Sequence, residues 1–242
     1  MTEEGNNCRY LEYHHLNFFL YILYAHFITM VFYKMSANTY LPSLMYRVRV
    51  LLNAIYKYMN PQKTYLNASD SVLLVIDMVD AYRSLFSSRM IKEINANIEL
   101  AKKNNIPVVY TKWVRTNNTD DMIGDVVDGK RFWSFYIPEK TDIIDELKKN
   151  IAKDDLIINT IFPNTFAHGT QLMDVIKKRK NLILCGTWTE SCIKHTADAA
   201  VEMNLRPYIL KFACSGHWPF SSWSMIIQGM LQSEIVKSLI YV

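Results

Sequence analysis

A parallel β-sheet covered by helices on both faces is the fold class this 242-residue chain predicts, and two features carry the prediction. Short runs that are apolar at every position alternate with longer stretches whose apolar residues recur at helical spacing. A strand that is apolar on both sides has no solvent face, so it belongs in a sheet buried between helical layers.

Taken in order, residues 1–64 read as an N-terminal extension and 65–242 as the α/β domain. Leu16 to Tyr33 (LNFFLYILYAHFITMVFY) is uncharged over 18 residues, near the lower limit for crossing a bilayer. It reads either as a membrane anchor or as a packing helix. Lys34, Arg47, Arg49, Lys57 and Lys63 follow it with no acidic residue before Asp70, a bias that faces the domain to the cytosol if the segment inserts. Met35, Met45 and Met59 offer later starts, under which the stretch lies upstream of the mature chain.

Ser71 to Asp77 (SVLLVID) is an apolar strand ending in a carboxylate. Ser88 to Asn104 has helical spacing, and Ile106 to Lys112 (IPVVYTK) is a second strand. The alternation continues with a helix at Asp142 to Lys149, a strand at Leu156 to Asn159 and a helix at Thr170 to Arg179. A strand at Leu182 to Cys185, a helix from Glu190 and a strand at Pro207 to Leu210 complete it. In such a sheet the ligand crevice lies beyond the carboxyl ends of the strands. Asp77, Lys112 and Cys192 all fall there.

Composition narrows the function classes. Half of the residues are apolar, 21% are charged, and the formal charge of +4 is scattered rather than clustered, which argues against a nucleic-acid partner. The four cysteines show no metal-binding spacing, as expected of a reduced, cytoplasmic protein. With no P-loop or GxGxxG, a nucleotide-binding reading of the sheet loses its main support.

The chemistry concentrates in Gly186-Thr187-Trp188-Thr189-Glu190-Ser191-Cys192. It reads as a tight turn between a buried strand and a helix that opens with a cysteine. A thiol in the first turn of a helix is exposed to the positive end of the macrodipole, which favours its thiolate. A cysteine attacking an acyl carbon also needs a base that takes its proton and returns it to the leaving nitrogen. Asp77, a strand-end carboxylate in an apolar cleft, can do both when desolvation raises its pKa. The competing readings are a small buried hydrophobe for Cys192 and a helix-capping or lysine-paired carboxylate for Asp77.

The ordered set SVLLVIDMVDAY, IPVVYTKW, IPEKTDIIDELKKNIAKDDLIIN, FAHGTQL and LILCGTWTESCIKHTADAA resembles the isochorismatase-like cysteine hydrolases over roughly residues 68 to 215. The resemblance implies a three-layer α/β/α sandwich around a mainly parallel sheet of about six strands. It implies hydrolysis of small amides and related C–N or C–O bonds, such as those of nicotinamide, N-carbamoyl compounds, maleamate, ureidoacrylate and isochorismate. Asp77 matches the family's acid/base aspartate and Cys192 its nucleophile. The family's cis peptide would fall at Thr187-Trp188, with the N–H groups of Trp188 and Cys192 forming the oxyanion hole. Family members usually associate, so a homo-oligomer is expected.

One position departs from the pattern. The family's catalytic lysine follows an aspartate and a short apolar run, and here Asp155-Leu-Ile-Ile-Asn-Thr160 puts a threonine in its place. No shift of register restores a lysine. Lys112, at the end of the neighbouring strand, either compensates or is an ordinary solvated strand-end lysine. His195 shares a helix face with Cys192 and is read as structural. Metal-binding relatives use histidines in the segment matching Trp113 to Trp133, which has none here. Asp120, Asp121 and Asp125 read as solvated loop acids, and no cofactor is implied.

Tyr82, Trp113, Phe162 and Trp188 are the candidate substrate-binding aromatics, suited to a small planar ligand. Phe86, Phe132, Trp133 and Phe166 also flank the crevice, and all of these equally suit a subunit interface. The resulting reading is a metal-independent cysteine hydrolase of a small amide-like substrate. Its competitors are a pseudoenzyme that keeps the fold to bind a ligand or partner, with Thr160 as the lesion, and a membrane-tethered scaffold.

Overall fold

The computed structural model describes residues 41–114, 126–127, 130–131, 141–167, 171–177, 179–217, 219–230 and 233–241. Leu16 to Tyr33 and the loop acids Asp120, Asp121 and Asp125 lie outside these residues. Among the described residues no helix is long and apolar enough to cross a membrane. The chain divides into two compact units, Met1–Val50 and Leu51–Val242. Among the described residues, all of the β-structure belongs to the second unit.

A helix, α1 (Leu41–Met59), leads into β1 (Gln62–Leu66) and β2 (Ser71–Ile76). Then come α2 (Ser88–Lys103), β3 (Val108–Trp113), and the short antiparallel pair β4 (Val126–Val127) and β5 (Lys130–Arg131). The rest of the domain is α3 (Asp145–Lys148), β6 (Leu156–Thr160), α4 (Gln171–Ile176), β7 (Asn181–Thr187), α5 (Lys194–Glu202), β8 (Arg206–Ser215), α6 (Phe220–Met230) and β9 (Glu234–Tyr241).

One sheet of seven strands runs in the order β1-β9-β8-β7-β2-β3-β6. Every neighbouring pair is parallel. The count corrects the expected six. The two strands not among the five read from the sequence lie together on one side of the sheet, where β1 shows four partly or fully exposed residues (QKTYL) and β9 interrupts its apolar residues with Lys237. Partly exposed strands of this kind lack the continuous apolar run that marks strands buried on both faces.

Alternation of side chains along the strands divides the core into two layers. On one face Leu73, Val75, Tyr110, Ile183 and Leu210 pack with Met90, Ile94, Ile98 and Ala101 of α2 and with Leu147 of α3. On the other Val72, Leu74, Ile76, Val109, Ile158, Leu182 and Leu184 meet Leu172 and Ile176 of α4, Ala197 and Ala200 of α5, and Met225 of α6. Helices thus cover both faces, as the apolar runs predict. α2 starts where Ser87 accepts a hydrogen bond from the Met90 N–H through its side chain, satisfying one of the helix's unpaired donors. It runs to Lys103, after which Asn105 takes a left-handed conformation and the chain turns into β3.

At the carboxyl end of the sheet the backbone is specialised. Gly186, at φ 115, pairs with Ile76 across β7 and β2, and a Cβ there would run into the Ile76 backbone. Only glycine suits such a position. Asp77 follows at φ 49, in the left-handed region. β8 shifts register against β7 so that Cys214 and Ser215 lie beside Gly186 and Thr187.

Candidate active site

Asp77 leaves β2 with its side chain 1% exposed. Its backbone N–H donates to Thr111 Oγ1 at 3.0 Å, and that hydroxyl donates to Asp77 Oδ1 at 2.6 Å. Thr160 Oγ1 donates to the same oxygen at 3.4 Å, and the Trp113 backbone N–H also hydrogen-bonds the carboxyl. These partners converge because β3 and β6 are paired neighbours, with Trp113 opposite Thr160. Burial raises the Asp77 pKa from 3.8 to about 6, against the downward pull of Thr111, Cys192 and Thr160.

β7 delivers the facing group. The peptide bond Thr187-Trp188 is cis, at the position the resemblance implies. Thr187 and Thr189 hydroxyls donate to the Ser215 carbonyl at 3.1 and 2.9 Å, and Ser224 Oγ donates to the Thr189 carbonyl at 3.2 Å. These bonds anchor the turn to β8 and α6. The Ser191 and Ile193 N–H groups donate to the Trp188 carbonyl at 3.0 and 3.1 Å.

Cys192 lies within the π-helical turn Thr189–Ile193, one turn ahead of α5, and is 7% exposed. Its thiol and the Asp77 carboxyl interact directly by hydrogen bonding. The expected favoured thiolate is therefore corrected. Burial, then the Asp77 charge, push the thiol well above its usual range, although the Trp188 N–H and the Ser191 side chain pull it down. Desolvation of a charge in an apolar layer outweighs the dipole of a short helix.

The aromatic expectations divide. Tyr82, in the 3-10 turn Asp80–Leu85, places its ring edge-on to Trp188 at 5.5 Å between centroids. Burial and the neighbouring charges of Asp77 and Cys192 raise its phenol far above the usual range. Trp113 packs against the α4–α5 side of the core, and its indole N–H is buried with no hydrogen-bond partner among the described residues. Phe162 follows β6 and is 36% exposed. Phe132 and Trp133 lie outside the described residues.

Lys112 has another partner. Its Nζ lies 3.8 Å from Asp142 Oδ1. Alternation along β3 puts Thr111 and Trp113 on the face of Cys192, and Lys112 with Val108 and Tyr110 on the α2 face. Among the described residues no basic side chain is ion-paired or hydrogen-bonded to Asp77. His195 Nδ1 sits 2.8 Å from the Ser191 carbonyl, one turn back. No group of three His, Cys, Asp or Glu side chains gathers among the described residues.

Sequence reasoning missed His217 beside Trp188 and Thr111 beside Asp77. The His217 ring meets the Trp188 ring edge-on at 4.3 Å. Its backbone N–H donates to Glu190 Oε1 at 2.6 Å, and its Nδ1 lies 3.3 Å from the same oxygen. The rule that strand ends form the crevice, applied to β8, points at Ser215 to His217. Thr111 was missed because a threonine inside VVYTKW looks like any strand residue.

A buried thiol and carboxyl in direct contact just beyond the carboxyl ends of the adjacent parallel strands β7 and β2 define a cysteine–aspartate site on an α/β sheet. The chain belongs to the isochorismatase family, a family of hydrolases, since the Isochorismatase domain pattern matches residues 71–234. No curated protein matches the sequence. Solved structures share the fold at low identity. The MAR1 ribonuclease of Caenorhabditis elegans is 18% identical with a TM-score of 0.57, covering 72% of this chain and 80% of its own. A cysteine hydrolase of Pseudomonas syringae pv. phaseolicola is 16% identical with a TM-score of 0.57, covering 74% and 92%. The N-carbamoylsarcosine amidase of Thermoplasma acidophilum is 18% identical with a TM-score of 0.53, covering 69% and 95%.

Proposed function

We propose that the chain is a metal-independent cysteine hydrolase of a small amide-like substrate, working through a thioester. Cys192 Sγ attacks the substrate carbonyl carbon while its proton passes to Asp77. The developing oxyanion is received by the N–H groups of Trp188 and Cys192. Asp77 returns the proton to the leaving nitrogen and the C–N bond breaks. It then takes a proton from water, whose oxygen attacks the thioester, and the departing sulfur recovers that proton. Tyr82, Trp113, Phe162 and Trp188 bind the substrate. The observation that carries this reading is the direct contact of a buried thiol with a carboxyl whose pKa of about 6 suits proton exchange near neutrality.

A pseudoenzyme that binds a ligand or partner is the second reading, favoured by Thr160 in the lysine position and by the raised thiol. Turnover of a panel of small planar amides separates the two. Activity lost in a folded Cys192→Ala variant supports the hydrolase. Unchanged activity in that variant removes Cys192 from the mechanism, and no turnover by the unmodified chain leaves the second reading.

A further inference from the structure

We infer that the ligand of this site is a cation, whose ammonium or amidinium group supplies the positive charge that Thr160 does not. The inference rests on the proposed hydrolase site and names its substrate class. Near neutral pH, above the Asp77 value of about 6, Cys192 and Asp77 hold one proton between them, so the contacting pair carries one negative charge. That charge is buried, since Asp77 is 1% and Cys192 7% exposed. The groups that meet Asp77 are neutral donors: the Thr111 and Thr160 hydroxyls, the Cys192 thiol and the Trp113 backbone N–H.

The nearby basic groups on the described strands and helices are engaged elsewhere, Lys112 with Asp142 and Lys194 with Asp198 at 2.7 Å. His217 faces Glu190, itself a further carboxylate two residues before the thiol. A buried charge with no counter-charge among the described residues is costly, and a cationic ligand removes that cost on binding. The walls suit the same ligand. Tyr82 and Trp188 meet edge to face beside the pair, and aromatic faces attract cations. A neutral amide can stack on the same rings but offers the buried charge no partner, and an anionic one is repelled by it.

The test reads ligand charge without needing a substrate. Three methanethiosulfonates that differ only in the group they deliver, aminoethyl, hydroxyethyl and sulfonatoethyl, are reacted with the full chain near neutral pH. Labelling at the Cys192 peptide is followed by mass spectrometry, with Cys192→Ala as the control. Each rate is divided by the same reagent's rate with β-mercaptoethanol. The aminoethyl reagent is expected to exceed the sulfonatoethyl one by at least about tenfold after that correction.

The ratio should collapse in Asp77→Asn, which removes the negative charge, and separately in Thr160→Lys, which adds a resident cation. A corrected ratio near or below one overturns the inference, as does a ratio that survives both substitutions. A high ratio without turnover of any amide keeps the inference and overturns the hydrolase reading. Turnover with a ratio near one does the reverse.

Discussion

Asp77 holds the largest electrostatic liability of the described site, and its consequences are measurable. Its folded pKa of about 6 stands above the ordinary 3.8. The folded state therefore binds more protons than the unfolded one between those values, and stability falls as pH rises through that window. The full loss amounts to about 3 kcal/mol as an upper estimate. Asp77→Asn should remove this slope, so denaturant titrations should show the variant gaining on the parent from about pH 4 to about pH 7. An identical pH slope in both proteins contradicts the raised pKa. In the proposed mechanism Asp77 must be ionised to accept a proton, so kcat/KM should rise with pH through the Asp77 pKa of about 6. Thr160→Lys should move that limb to lower pH, because an adjacent cation favours the carboxylate. A limb that stays in place means that residue 160 does not reach the carboxyl charge.

The turn between β7 and α5 is the element on which the site depends. Gly186 permits it by adopting φ 115 against the Ile76 backbone. Gly186→Ala combines a strained backbone with a clash against main chain that cannot move aside, and should cost at least about 3 kcal/mol or prevent folding. A thermal melt within a few degrees of the parent would show that the close approach of β7 to β2 is not obligatory. The threonines that follow act differently. Thr189→Val removes the 2.9 Å bond to Ser215, which should cost about 1–2 kcal/mol. Turnover should fall further than the stability loss explains, since the turn also positions Cys192. Proportional losses would reduce the bond to a purely structural role.

Over the whole molecule, the two-sided burial of the sheet sets the pattern of sensitivity. Leu73 and Leu74 are adjacent on β2, both 0% exposed, and belong to opposite core layers. Leu73→Ala and Leu74→Ala should each cost about 2–5 kcal/mol in chemical denaturation. A near-neutral result for one of them would mean that its layer is open to solvent. The sensitivity should decline towards β1 and β9, where the strands expose part of their length.

The amino-acid sequence by itself determined the parallel sheet, five of its seven strands (β2, β3, β6, β7 and β8) and the strand-end positions of Asp77 and Cys192. Strands buried on both faces must be apolar throughout, so they are legible without knowing their neighbours. The partly exposed β1 and β9, whose apolar residues are interrupted by polar ones, are not, and they emerged only when paired. Tertiary structure decided the surroundings of the site. Which of Thr111 and Lys112 meets Asp77 depends on which face of β3 turns to the cysteine, and a period of two leaves that choice open until helices pack on both sides. It also decided the state of the thiol, because the sequence shows a cysteine before a helix and only the packed layers supply the burial that holds it protonated.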